Sequence, residues 1–166
     1  MLQERIEGKW ISSFRRVFVL NGIGKGTTVA LISETQSRPV LAHLSELALY
    51  DLGADFCILK MPTPPQTAPV PVKGTGTSLA IQHNRAIIEA MKKCEIVVDC
   101  TVEGMIHSPE WPEIETAGAR LLVVTNEHPE ILERTEPFAE LGPKVDLGVQ
   151  MLSEAREMRV TSEAGT

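Results

Sequence analysis

The sequence predicts an α/β protein with a Rossmann-like parallel sheet of four to five strands and helices on both faces. Three observations lead there. Four short apolar runs alternate with stretches of helical periodicity, each run is apolar nearly throughout, and helix-start and helix-stop residues stand at the junctions. Continuous apolar runs are what parallel strands show when helices cover both faces. Right-handed β-α-β crossovers wind such a series into a doubly wound sheet.

In chain order, a helix is expected around Trp10–Leu20, packing on the sheet. The strand runs are Thr28–Ser33, Asp55–Leu59, Glu95–Cys100 and Arg120–Thr125. Between the first two, Val40, Leu41, Leu44, Leu47 and Ala48 recur at helical spacing, with Pro39 at the start and Gly53 where a C-cap glycine belongs. Before the third run, Ile81, Ile87, Ile88 and Met91 form a similar stripe, with Thr77 or Ser78 as its expected N-cap. After the third run, Ser108-Pro109-Glu110 reads as N-cap, first-turn proline and dipole-favoured acid, and Gly118 ends that helix. Short helices are expected near Pro129–Arg134 and Lys144–Glu157, the latter burying Val145, Val149 and Leu152. Met158–Ser162 reads as a fifth strand. The expected organisation is a Rossmann-like domain over residues 1–157, with residues 158–166 starting a strand that leads elsewhere.

Composition excludes several function classes. A net charge of -6 argues against nucleic acid, since neutralising phosphates needs a basic face. No apolar run approaches the roughly 18 residues of a membrane span, and the charged N-terminus lacks a secretory core. Cys57, Cys94 and Cys100 are odd in number and lack C-x-x-C spacing, which disfavours disulfides and zinc. Buried, reduced thiols in the cytoplasm are the expectation.

Asn21–Thr28 (NGIGKGTT) suggests phosphate binding, but its glycines precede a strand, whereas a dinucleotide fingerprint follows one. A turn between helix and strand is the expected role. The proline-rich stretch 61–77 is long enough to be a lid or a partner-contacting arm, and its stiffness favours an arm in a homo-oligomer.

Open parallel sheets bind ligands at the carboxyl ends of their strands. There His107, in the loop TVEGMIHSPE, is the leading candidate, because histidine exchanges protons near neutral pH. A solvated histidine capping local backbone is the competing reading. His128 reads as a helix entry, and His43 and His83 as surface or half-buried positions within helices. Glu103 and Glu127 are a conceivable carboxylate pair. No metal-ligand spacing and no G-x-S-x-G is present.

The stretch Glu95–Glu110 (EIVVDCTVEGMIHSPE) and the tail Glu154–Thr166 (EAREMRVTSEAGT) resemble the N-terminal part of the 2,5-dihydroxypyridine 5,6-dioxygenase family, itself distantly similar to M29 metallo-aminopeptidases. The similarity runs from about Thr28 to the end. It implies a non-haem Fe(II) enzyme that opens a hydroxylated N-heteroaromatic ring with O2. By the resemblance, His107 stands at the acid/base position and Ile106 at one packing on the substrate ring. The family's iron ligands lie in a C-terminal domain of about equal size, so the resemblance assigns no metal ligand in this chain and predicts that the chain alone is inactive. The chain is then expected to be a fragment, a subunit or a stand-alone domain; its ending within an apparent strand favours a fragment. An M29-type peptidase domain and a binding or assembly module without activity are the alternatives.

Overall fold

The computed structural model describes residues 5–65, 76–124 and 128–165. They divide into two compact units, Met1–Glu136 and Pro137–Thr166.

The first unit holds the sheet. Its strands are β1 (Thr28–Glu34), β2 (Asp55–Met61), β3 (Ile96–Cys100) and β4 (Arg120–Val123). They lie in the order β2-β1-β3-β4 and every pairing is parallel. The chain steps outward from β1 to β2, then returns to the other side of β1 for β3. The sheet therefore has its switch point between the carboxyl ends of β1 and β3, where ligand crevices form.

The central strands are apolar throughout because both their faces are covered. Val29, Leu31, Ile96 and Val98 turn to one face and pack with Trp10, Phe14, Val17 and Phe18 of α1 (Gly8–Leu20) and with Leu41, Leu44, Ala48 and Leu49 of α2 (Pro39–Leu52). Ala30, Ile32 and Val97 turn to the other and meet Ile88 and Met91 of α3 (Arg85–Met91) and Trp111 and Ile114 of α4 (Trp111–Thr116). Phe14 and Phe18 are fully buried, each stabilising the fold by roughly 1.5–3 kcal/mol relative to exposure. The outer strands depart from the expectation of full cover. β2 and β4 are edges with largely exposed or half-buried residues, and Cys57 is exposed on β2. All three thiols are free, and Cys100 alone is buried.

Helix boundaries follow local chemistry. Pro39 opens α2, and Gly53 closes it at φ 67°, as expected. The α3 helix begins later than the Thr77 or Ser78 start. His83 adopts φ 61°, which interrupts helical continuity, and Asn84 accepts from the Ile87 N–H as the N-cap. His83 thus lies in a turn and not within a helix. The α4 helix likewise starts at Trp111 with Glu110 at its N-cap, because Ser108 uses its hydroxyl elsewhere. The glycines at 22 and 26 serve turns at positive φ between α1 and β1. In α5 (Pro129–Arg134), His128 caps the first turn through Nδ1, which accepts from the Glu130 N–H at 3.2 Å.

The second unit contains α6 (Leu141–Glu154). Its expected buried face is not buried: Val145, Val149 and Leu152 are all exposed, and no residue of the helix is buried. Met158–Ser162 is not a strand. It pairs with no other strand, Met158 and Val160 are exposed, and the sole bridge joins Ser162 to Gly165. Strand structure needs a partner for its backbone groups, and this unit supplies none. Among the described residues no helix is long and apolar enough to cross a membrane.

Candidate functional site

At the switch point two strands end on acids. Glu34 closes β1, and Asp99 sits one residue from the end of β3; both are almost wholly buried. Each is held by donors from the loop that follows β3. Asp99 Oδ1 accepts from the Thr101 N–H (2.8 Å) and hydroxyl (2.6 Å), and Oδ2 accepts from the Met105 N–H (2.7 Å). Glu34 Oε1 accepts from the Val102 N–H (3.1 Å) and the Ser78 hydroxyl (2.9 Å). Burial pushes the Asp99 carboxyl above its ordinary range, against the Thr101 and Met105 hydrogen bonds, and the nearby Glu34 pushes the same way.

A second strip of chain is sewn to this loop. The Gly76 N–H donates to the Glu103 carbonyl (2.8 Å), the Ser78 N–H to Gly104 (2.7 Å), and the His107 N–H to Gly76 (2.5 Å). The Ser108 hydroxyl completes the seam by donating to the Ser78 carbonyl (2.8 Å). Gly76 has φ 69°, and a Cβ there would stand 2.7 Å from Ile106 Cγ2 and 3.0 Å from His107 Cδ2. Only glycine combines that backbone with so close an approach.

Met105 and Ser108 are thus fixed, the first with its side chain fully buried and the second with its hydroxyl spent. Between them Ile106 and His107 project from the surface, Ile106 being 50% exposed. The His107 ring makes no hydrogen bond to another described residue, so it does not cap local backbone. What the arrangement offers is an unengaged imidazole beside an apolar side chain on a firmly anchored loop.

The other candidates separate from this pair. His128 spends Nδ1 on its helix cap and meets the Trp10 ring edge-on at 5.2 Å. His43 and His83 are exposed. Glu103 contributes its carbonyl to the Gly76 seam, and Glu127 lies outside the described residues, as does most of stretch 61–77. No group of three His, Cys, Asp or Glu side chains comes together among the described residues. Asp99 and Glu34 have oxygens committed to loop donors, so they do not fit an open iron site of two histidines and a carboxylate. An open depression of about 540 Å³ lined by Tyr50, Phe56 and Ile58 lies on the β2 edge at the amino end, away from His107.

Sequence reasoning passed over Asp99, Glu34 and Gly76. The two acids had an available signal: an acid at the carboxyl end of an otherwise apolar strand run is costly unless the following loop satisfies it.

The sequence profile of the 2,5-dihydroxypyridine 5,6-dioxygenase family matches residues 9–166. The chain belongs to that family. A 2,5-dihydroxypyridine 5,6-dioxygenase of Pseudomonas putida strain KT2440 is 26% identical over 155 residues, which are 92% of this chain and 43% of that protein. A solved structure of 2,5-dihydroxypyridine dioxygenase from the same organism superposes with a TM-score of 0.83 at 26% identity, over 95% of this chain and 45% of that one. The chain therefore spans under half the length of the relatives it matches, and what it matches is the N-terminal domain of the family.

Proposed function

We propose that this chain is the sheet-bearing N-terminal domain of a dioxygenase that opens a hydroxylated N-heteroaromatic ring such as that of 2,5-dihydroxypyridine, with His107 as its acid/base group and Ile106 as part of the substrate wall. The observation that carries the reading is the unengaged His107 ring at the carboxyl edge of the sheet, in a chain whose family match runs from residue 9 to residue 166. The chemistry is a proton transfer. A ring hydroxyl gives its proton to the imidazole, leaving an oxyanion on the ring and an imidazolium on His107. The ring becomes electron-rich and open to oxidation by O2, and the imidazolium can return the proton later. Ile106 supplies an apolar surface against the flat ring. Ring cleavage by O2 draws on an Fe(II) centre that belongs to the proposal for the whole enzyme, in a C-terminal metal-binding domain. The described residues of this chain do not fit that centre. Assembly as a homo-oligomer through stretch 61–77 and a cytoplasmic location also belong to the proposal.

The test is O2 uptake with 2,5-dihydroxypyridine by protein carrying both halves of the family fold, run beside hydrolysis of aminopeptides. Substrate-dependent O2 consumption without peptide hydrolysis supports the reading. Peptide hydrolysis without O2 uptake overturns it in favour of a metallopeptidase.

A further inference from the structure

We propose that Asp99 is a positioning residue for His107, acting through the Met105 backbone and never touching the substrate. This deepens the reading of His107 as the acid/base group and rests on it for its consequence in catalysis. Its structural content stands separately.

Loops on a sheet edge are ordinarily mobile, whereas a group that takes a proton must be held close to its productive position. The His107 loop meets that requirement with a buried carboxyl group. Asp99 uses both carboxylate oxygens as acceptors, one for Thr101 at the start of the loop and one for Met105 two residues before His107. Met105 is also fixed by its fully buried side chain, and its carbonyl accepts from the Ser108 N–H at 2.9 Å. The Asp99 contact therefore clamps the residue from which the Ile106–His107 projection springs. Burying an acid this deeply opposes folding, and an apolar residue ending β3 would avoid that cost. No apolar residue could accept the two backbone N–H groups.

Asp99 and Glu34 make a discriminating pair. Both bonds to Glu34 fall on Oε1, so a glutamine carbonyl reproduces them. Asparagine at 99 has a single acceptor oxygen; its NH2 must face either Thr101 or the Met105 N–H, donor against donor. Asp99→Asn should release the loop and Glu34→Gln should not.

The experiment is 15N and side-chain NMR on the 166-residue chain itself, with no iron and no turnover required. In Asp99→Asn the Met105 amide should exchange at least tenfold faster. The His107 ring signals and Ile106 methyl signals should shift, while the amides of Val97 and Val98 keep their protection. Glu34→Gln should leave the His107 and Ile106 signals in place. Should Asp99→Asn not fold, Thr101→Val removes only the hydroxyl bond and should move the same signals by less. Unmoved His107 signals in the folded Asp99 or Thr101 variant would overturn the proposal, as would loss of protection across all of β3 to the same degree. If His107→Ala later proves fully active, the catalytic reading has failed while the NMR result still decides whether Asp99 places the loop.

Discussion

His107 and His128 follow neighbouring strands, β3 and β4, and put their rings to opposite uses. The His128 ring is consumed by structure, with Nδ1 capping α5 and its edge against Trp10. The His107 ring makes no hydrogen bond to another described residue, although the loop beneath it is tied down by hydrogen bonds to Asp99, Gly76 and Ser78. The difference teaches how a histidine spent on structure differs from one whose ring stays available at the same sheet edge. In the first the side chain is spent; in the second the backbone is, and the side chain is kept free. Secondary structure does not distinguish the two, because both histidines stand before short helices that carry an early proline.

The sharpest way to break this contrast is substitution at 107. In protein carrying both halves of the family fold, His107→Ala should slow O2 uptake by about 10²–10⁴-fold. Bound iron should be unchanged and stability should alter by less than about 0.5 kcal/mol. Parallel loss of iron would instead make His107 a ligand. Gly76→Ala comes next. A Cβ at φ 69° and within 3.0 Å of both projecting side chains should cost about 1–3 kcal/mol. It should also slow turnover by about 10²-fold by displacing His107, which thermal melts and rates together would show. His128→Ala should do the reverse of His107→Ala, lowering stability by about 1–2 kcal/mol through the lost cap and ring contact. Its turnover should equal that of the wild type.

The smallest effect concerns pH. Hydrogen bonding from Lys9 holds Glu133 below the usual carboxylate range, and Arg16 does the same for Glu136. Depressed carboxyls contribute stability that is present above the ordinary carboxylate pKa of about 4.3 and lost as pH falls through the folded values. Glu133→Gln should therefore flatten the fall in melting temperature between neutral pH and acid, by a small margin because the pair is exposed. A steeper fall in the variant would contradict the assignment.

Much of the fold was legible in the sequence because it follows from local patterns. The four strand runs, the Pro39 start and Gly53 stop of α2, and α5 at Pro129–Arg134 all appear within a residue or two of their expected places. Errors arose where a residue had a tertiary use. Ser108 has the right type and place for an N-cap, yet its hydroxyl reaches 30 residues back to Ser78. His83 in the left-handed region ends a periodicity that the apolar stripe suggested was continuous. The stripe on α6 is real, but periodicity specifies a face and not what covers it, and here it is exposed. For the site, residue type and position brought His107 forward, and the family resemblance gave it a role. The carboxylates that hold its loop act through contacts between residues far apart in the chain, which spacing does not encode.

The central claim is that His107 takes the proton of a bound ring hydroxyl. Ionisation of a hydroxypyridine changes its ultraviolet absorption, so the most direct measurement is the spectrum of 2,5-dihydroxypyridine bound anaerobically to protein carrying both halves of the fold. The wild type should show bound ligand as the anion, and His107→Ala should hold it in the neutral form at the same pH. An anionic spectrum in both proteins would contradict the account.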